Sequence, residues 1–185
     1  MIVRNRDRAV NTPVYHSSIG ATKYIPLNLT NTETSWTGFL NDTEPTSSVI
    51  TLGNGSGPNH NGEDIIIYAM SAVEGYSAFG KYTGNGNADG PFVYTGMRPR
   101  WIMIKNTTSA IGWYILDTQR DEHNVSNTFL FANTSGAEGT ASTSLVDILS
   151  NGFKLRGAGD TVNASGAGYI YACFAENPLQ YSRAR

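Results

Sequence analysis

The chain of 185 residues is 15% charged and has a formal net charge of −2, which excludes the basic surface that binds nucleic acids or anionic membranes. Gly, Asn, Ser and Thr make up more than a third of the residues, and such a composition disfavours helices. Because 39% of the chain is hydrophobic and 11% is aromatic, disorder is excluded too, and a turn-rich all-β protein is the class that remains.

Short runs of β-branched and aromatic residues alternate with turn-forming clusters, the pattern of an antiparallel protein. The segment 142–149 has a cap pattern and ends before Asn151, which predicts a short helix or a strand. Cys173 is the single cysteine and lies in an apolar run, so we expect it to pack in the core. The predicted strands are residues 2–4, 23–29, 48–52, 64–73, 78–82, 91–94, 100–105, 112–117, 128–131, 153–156 and 168–175.

Similar blocks of residues recur at an offset that stays between 101 and 103. This repetition predicts an internal duplication, with β units at residues 1–74 and 97–185 joined by a Gly-rich connector at 75–96. Units of about 75 to 90 residues are marginal alone, which favours one shared core over two small sandwiches. The matching blocks are residues 1–5, 29–32, 50–52 and 67–69 with 102–106, 131–134, 153–155 and 170–172.

The predicted fold is an antiparallel β-sandwich, jelly-roll or concanavalin-like, built from two similar units. Met1 falls where Ile102 lies in the second unit, so we expect a piece of a longer protein with an added start methionine. No apolar run approaches the roughly 20 residues that span a bilayer, and membrane insertion is therefore not expected.

Asn85, Asn87 and Asp89 place oxygen-bearing side chains at alternate positions before a glycine, which is the first half of a calcium loop. The residue that would close such a loop as a bidentate acid is Gly96. A Gly-rich hairpin connection is therefore the alternative. Apart from this calcium hypothesis, no cofactor is expected.

Three aromatic residues are candidates for stacking on sugar rings: Trp36, Tyr82 and Tyr94. Trp36 lies in a polar stretch, which favours an exposed ring. The alternative is that the ring of Trp36 anchors its loop on the core, because aromatic rings bury large areas.

No catalytic motif stands out in the chain. No Gly-x-Ser-x-Gly elbow is present, so a Ser-His-Asp hydrolase is not indicated. Hydrolysis of glycans needs two carboxyl groups at a set separation in space, which sequence does not give. We therefore expect that the protein is not an enzyme. We expect the candidate carboxyl groups to be solvated turn residues: Glu63, Asp64, Asp117, Asp121 and Glu122.

The chain resembles an uncharacterised β domain of marine tailed bacteriophages, found in tail-fibre-like and other virion structural proteins. The resemblance covers most of residues 65–185 and departs at Met97, where an aromatic residue is expected. It implies a virion component, often placed next to a concanavalin-like lectin module, with no assigned catalytic residues. The motifs that carry the resemblance lie at residues 75–86, 89–96, 98–105, 149–156 and 169–178.

Together these observations favour a non-enzymatic virion surface protein, a tail-fibre or appendage module that contacts host surface glycans. The alternatives are a capsid decoration or cement protein and a glycan depolymerase domain. Expected partners are other virion proteins, further copies of the chain in a homo-oligomer such as a trimer, and host glycans, but not nucleic acid. The resemblance places the protein on the virion surface, after synthesis in the bacterial cytoplasm.

Overall fold

A computed structural model describes residues 1–143 and 145–178. The chain divides into two compact units, Met1–Met70 and Ser71–Arg185. The regular secondary structure of both is almost entirely antiparallel strand, which confirms the all-β class. Across these described ranges, no helix is long and apolar enough to cross a membrane.

The first unit is a five-stranded sheet with one helical turn. The burial of β-strand side chains alternates, so Val3 points into the core while Arg4 is exposed. Val3 packs with Phe39 and Leu40 of the helix, and Ile50 and Leu52 pack against this cluster. The elements are β1 (Ile2–Asn5), β2 (Pro13–Val14), β3 (Lys23–Pro26), β4 (Thr34–Ser35), α1 (Thr37–Leu40) and β5 (Ile65–Tyr68), in the sheet order β4-β3-β2-β1-β5.

The second unit contains two antiparallel sheets. Its strands are β6 (Ser77–Thr83), β7 (Phe92–Tyr94), β8 (Pro99–Asn106), β9 (Trp113–Asp117), β10 (Thr128–Phe131), β11 (Gly139–Thr140), β12 (Val146–Leu149), β13 (Gly152–Leu155) and β14 (Gly168–Ala175). Six strands form one sheet in the order β11-β10-β9-β8-β14-β6, and three form the other in the order β12-β13-β7.

The two sheets of the second unit pack face to face, which confirms the sandwich. Phe153 of β13 contacts Tyr171 of β14, with ring centroids 5.4 Å apart, and Tyr82 of β6 at 6.1 Å. Ile102 and Ile104 of β8 belong to the same buried cluster. Burial of such large apolar side chains contributes about 1.5–3 kcal/mol each, so the interface between the sheets is the main source of stability in this unit.

The segment 75–96, expected to be a connector, belongs to the second unit. It contains β6, which pairs with β14, and β7, which pairs with β13. Because these strands complete both sheets, the second unit is long enough to bury a core without the first. One cluster of buried apolar residues lies within each unit, and the shared core that the chain length favoured stays a prediction.

One local prediction needs correction, and one alternative is resolved. Residues 48–52 do not form a strand, because a bend forms there and the hydroxyl of Thr46 accepts hydrogen bonds from the backbone N–H groups of Ser48 and Val49. The segment 142–149, predicted as a short helix or a strand, contains the strand β12, which confirms the second of these alternatives; Ser144 lies outside the described residues. The two-residue strands β2, β4 and β11 were not predicted, since so short a segment shows no alternation.

The two units share a strand order. The order β4-β3-β2-β1-β5 of the first unit matches β11-β10-β9-β8-β14 of the second. Asn5 ends β1, and its side chain accepts hydrogen bonds from the N–H groups two and three residues later, those of Asp7 and Arg8. Asn106 ends β8 and accepts in the same way from the N–H groups of Thr108 and Ser109. The internal duplication stays a prediction, and these recurring features support it.

Candidate functional site

The strand β7 displays two aromatic rings to solvent. Val93 points into the core, whereas Phe92 and Tyr94 on either side of it are 45% and 67% exposed. This follows from the alternation of side chains along a strand. Isolated exposed aromatic residues are ordinary, but two on one face of a sheet form a surface that can bind a ligand.

The neighbouring strands extend this surface. Across β13, Lys154 lies opposite Phe92 and Gly152 lies opposite Tyr94. On β12, Asp147 lies opposite Lys154 and Leu149 lies opposite Gly152. We call the surface made by these side chains the aromatic face; its residues are Phe92, Tyr94, Asp147, Leu149, Gly152 and Lys154.

Two glycines lie close to the two exposed rings. A Cβ atom on Gly152 would lie 2.1 Å from the carbonyl oxygen of Val93 and 3.0 Å from the ring of Phe92. Gly96 has a φ of +75°, and a Cβ atom there would lie 3.7 Å from the hydroxyl of Tyr94. The absence of a side chain at Gly152 therefore lets β13 and the ring of Phe92 approach closely, whereas a Cβ atom at Gly96 would only make an ordinary van der Waals contact with Tyr94.

Ion pairs flank the rings. The ammonium group of Lys154 contacts the carboxylate of Asp89 at 2.7 Å and donates to the carbonyl oxygen of Gly90 at 3.0 Å. The guanidinium of Arg156 contacts the carboxylate of Asp147, also at 2.7 Å. The hydrogen bond and the charge of Lys154 hold the pKa of Asp89 below its usual value. Asp89 therefore stays ionised at neutral pH, and the face carries paired charged groups beside apolar rings.

The predicted calcium-loop residues lie in the loop that leads into β7. Their side-chain oxygens accept hydrogen bonds from the backbone: Asn85 from the N–H of Asn87, and Asn87 from the N–H of Asp89. The amide of the buried Asn163 also donates to the oxygen of Asn85 and to the carbonyl oxygen of Asn87. These bonds are those of successive Asx turns. The calcium hypothesis stays a prediction, and a Gly-rich connection between strands describes the loop's local geometry.

The structure does not bring Tyr82 to the aromatic face. Its ring stacks on Tyr169, with centroids 4.9 Å apart and an interplanar angle of 7°, and packs against the core between the sheets. Its hydroxyl donates to the carbonyl oxygen of Val162 at 2.8 Å. Burial raises the pKa of Tyr82. A core role with a satisfied hydroxyl is therefore what the geometry gives this residue.

Trp36 lies in the first unit, directly before α1. Its ring packs against Tyr24 at 5.0 Å and stacks on Phe39 at 6.3 Å. A Cβ atom on Gly38 or Gly55 would lie within 2.6 Å of the indole, so two glycine backbones cover it closely. This arrangement matches the alternative interpretation, in which the ring of Trp36 anchors its loop on the core.

Of the predicted binding residues, Tyr94 alone lies on the aromatic face. Asp89 lies beside the face, where its carboxylate forms an ion pair with Lys154. Phe92, Gly152 and Lys154 were missed. A signal for Phe92 was present, since Phe-Val-Tyr alternates about one apolar core residue. The contributions of β12 and β13 depend on strand pairing, which a single sequence does not specify.

A protein-family model described as a domain of unknown function (DUF7483) matches residues 1–178 of the chain. No curated protein and no solved structure matches it.

Proposed function

The chain belongs to this DUF7483 family over residues 1–178, and from that premise we propose that it is a non-enzymatic carbohydrate-binding module of a virion surface. The observation that carries the proposal is the aromatic face. Phe92 and Tyr94 expose their rings on a sheet, and sugar rings present apolar C–H faces that stack on such rings. Membership of the family supplies no activity. The support for the proposal is the geometry and chemistry of the aromatic face.

The polar groups of the aromatic face suit the hydroxyl groups of a sugar. Carboxylate oxygens of Asp147 and Asp89 accept hydrogen bonds, and the nitrogens of Lys154 and Arg156 donate them. Each of these groups is held by its ion pair, so little side-chain entropy is lost when a ligand binds. A binding face with two stacking rings predicts weak binding per site, which several copies on one particle would multiply.

The same ion pairs support a non-enzymatic role. A glycosidase needs one carboxyl group that is protonated near neutral pH, which requires a raised pKa. Lys154 lowers the pKa of Asp89 instead, and Arg156 pairs with Asp147. Release of reducing sugar from a bound polysaccharide would contradict this part of the proposal and support the depolymerase alternative.

The location on a virion is proposed from the resemblance to phage structural proteins. Immunogold labelling of intact particles with antibodies to this chain tests it. We expect label at the tail end, as for an appendage that meets the host. Label spread over the head would instead support a capsid decoration protein, and absence of label from particles would overturn the location altogether.

A glycan array of bacterial surface polysaccharides, followed by calorimetry on the best ligand, tests the binding site. Tyr94→Ala and Phe92→Ala each remove one stacking ring, and we expect a loss of affinity of about tenfold, equivalent to about 1.4 kcal/mol. Tyr76→Ala is the matched control, because Tyr76 is also an exposed tyrosine of this unit but contacts Phe174 on the other sheet. Equal losses in all three variants would overturn the assignment of the site.

A further inference from the structure

The strand β5 ends the sheet of the first unit and leaves one edge open. β1 pairs with it along all four residues, and among the described residues no strand pairs with its other side. The N–H of Arg6 donates to the carbonyl oxygen of Asp64. Because hydrogen-bonded pairs alternate in an antiparallel ladder, the N–H and C=O groups of Ile65 and Ile67 point to the open edge.

In the second unit the equivalent edge is closed. β5 matches β14 by its place in the sheet, since Asn5 of β1 lies opposite Ile65 and Asn106 of β8 lies opposite Tyr169. β14 pairs on its other side with the antiparallel strand β6 over seven residues. The geometry of this sheet therefore accepts an antiparallel strand at the edge that β5 leaves open.

Within its four residues, β5 carries no charge, proline or bulge that would protect the open edge against pairing. Natural edge strands carry charges, prolines or bulges that block a further strand. β6, the edge of the six-stranded sheet, carries the exposed Lys81. β5 consists of Ile65, Ile66, Ile67 and Tyr68, with Ile66 38% and Tyr68 53% exposed.

We propose that β5 pairs antiparallel with β5 of a second copy of this chain, around a two-fold axis at Ile66. In that register Ile65 lies opposite Ile67 of the second copy, and both exchange the hydrogen bonds that point to the open edge. Ile66 meets its own equivalent, so the exposed apolar face is buried symmetrically.

The register also matches polar groups. Tyr68 of one copy lies opposite Asp64 of the other, and both side chains are on the same outer face, since they are an even number of residues from Ile66. The Tyr68 hydroxyl donates and the exposed Asp64 carboxylate accepts, so the ends of the paired strands are complementary. This self-complementarity favours a second copy over an unrelated strand as the occupant. The residues of this interface are not those of the aromatic face, so the proposed dimer does not depend on glycan binding.

Sedimentation velocity over a range of protein concentrations tests the proposal. We expect a concentration-dependent dimer of the full chain. Ile67→Pro removes an N–H that points to the open edge and is not used by β1, and it should leave a monomer. Ser35→Pro is the matched control, because the N–H of Trp36 donates to Thr22 and the alternation therefore turns the N–H of Ser35 outward at the opposite edge of the same sheet. This control should still dimerise.

Ile66→Lys tests the same interface without a change to the backbone, in case the proline variant fails to fold. It changes an exposed side chain and places two positive charges against each other across the axis, so it should abolish the dimer while circular dichroism stays unchanged. A wild-type chain that stays monomeric up to about 1 mM would overturn the proposal, because such a dissociation constant corresponds to only about 4 kcal/mol. An oligomer that persists in both Ile67→Pro and Ile66→Lys would overturn it too.

Discussion

Single asparagine and aspartate side chains hold the loops of this protein, which explains why a chain so rich in Asn is ordered. Asn163 is fully buried, and its amide donates to three oxygens, including the carbonyl oxygen of Gly157. Asn106, also fully buried, accepts from the N–H groups of Thr108 and Ser109. Apart from the bond to the side-chain oxygen of Asn85, each of these bonds satisfies a backbone group that a loop would otherwise leave unpaired.

The carboxylate of Asp121 holds the segment that leads into β10. Its carboxylate accepts hydrogen bonds from the N–H groups of Asn127 and Thr128 and from the hydroxyls of Ser126 and Thr128. We expect Asp121→Ala to lower the free energy of unfolding by about 2–3 kcal/mol, because several donors to a charged acceptor lose their partner. Urea titration at pH 7 measures the loss, and Glu122→Ala, an exposed neighbour, is the control.

The pH dependence of this contribution follows from the pKa of Asp121. Burial alone would raise that pKa, but the hydrogen bonds from Thr128, Asn127 and Ser126 outweigh it and lower the pKa. A lowered native pKa stabilises the fold above the unfolded value near 4, and the stabilisation is lost as pH falls through the native pKa. The difference between wild type and Asp121→Ala should therefore shrink below pH 4; a constant difference would contradict the role of the charge.

The sequence does not show which of the three candidate aromatic residues expose their rings to solvent. Tyr82 and Tyr94 both stand next to threonine and glycine in similar Tyr-Thr-Gly segments. Tyr82 faces inward because its strand β6 presents that position to Tyr169 and Phe153, whereas Tyr94 faces outward because Val93 takes the core position of β7. The direction of each ring depends on which face of its strand is covered, and one sequence does not specify that.

The strand β13 depends on a glycine where it passes β7. A Cβ atom on Gly152 would lie 2.1 Å from the backbone oxygen of Val93, so Gly152→Ala forces the two strands apart. We expect a loss of about 2 kcal/mol or more in the free energy of unfolding, as for other overpacked sites. Thermal and urea denaturation measure it. Gly159→Ala is the control, because nothing lies within 4 Å of its Cβ position, and equal losses would contradict the steric cause.

Strand prediction succeeded where the apolar runs are long. β8 and β14 have eight residues each, and their β-branched and aromatic content indicates strands whatever surrounds them. Residues 64–73 were predicted as one strand, but β5 ends at Tyr68. Of the described residues 69–73, Val73 alone is paired, by an isolated bridge to Ser77. The helix α1 was not predicted, since four residues carry no helical period.

The two units differ most in what covers the shared five-strand arrangement. The first unit covers its sheet with α1 and the segment that contains Ile50 and Leu52, whereas the second adds β6 and the three-stranded sheet. In the first unit the residues that follow α1 form turns and irregular structure where the second has the β12-β13 hairpin. The described part of the chain therefore displays the aromatic face once, although its sheets follow one order.

The division between the units provides the last prediction. Residues 68–74 are all exposed and include the division after Met70, so a protease should cut there before it cuts within a sheet. Thermolysin cleaves before large apolar residues, and Met70 and Val73 are its targets in this segment. We expect an early pair of fragments that mass spectrometry locates between residues 69 and 74, and a slower first cut in the double variant Met70→Ser, Val73→Ser. A first cut within residues 84–96, the Gly-rich loop and β7, would contradict this division and support the connector that the sequence predicted.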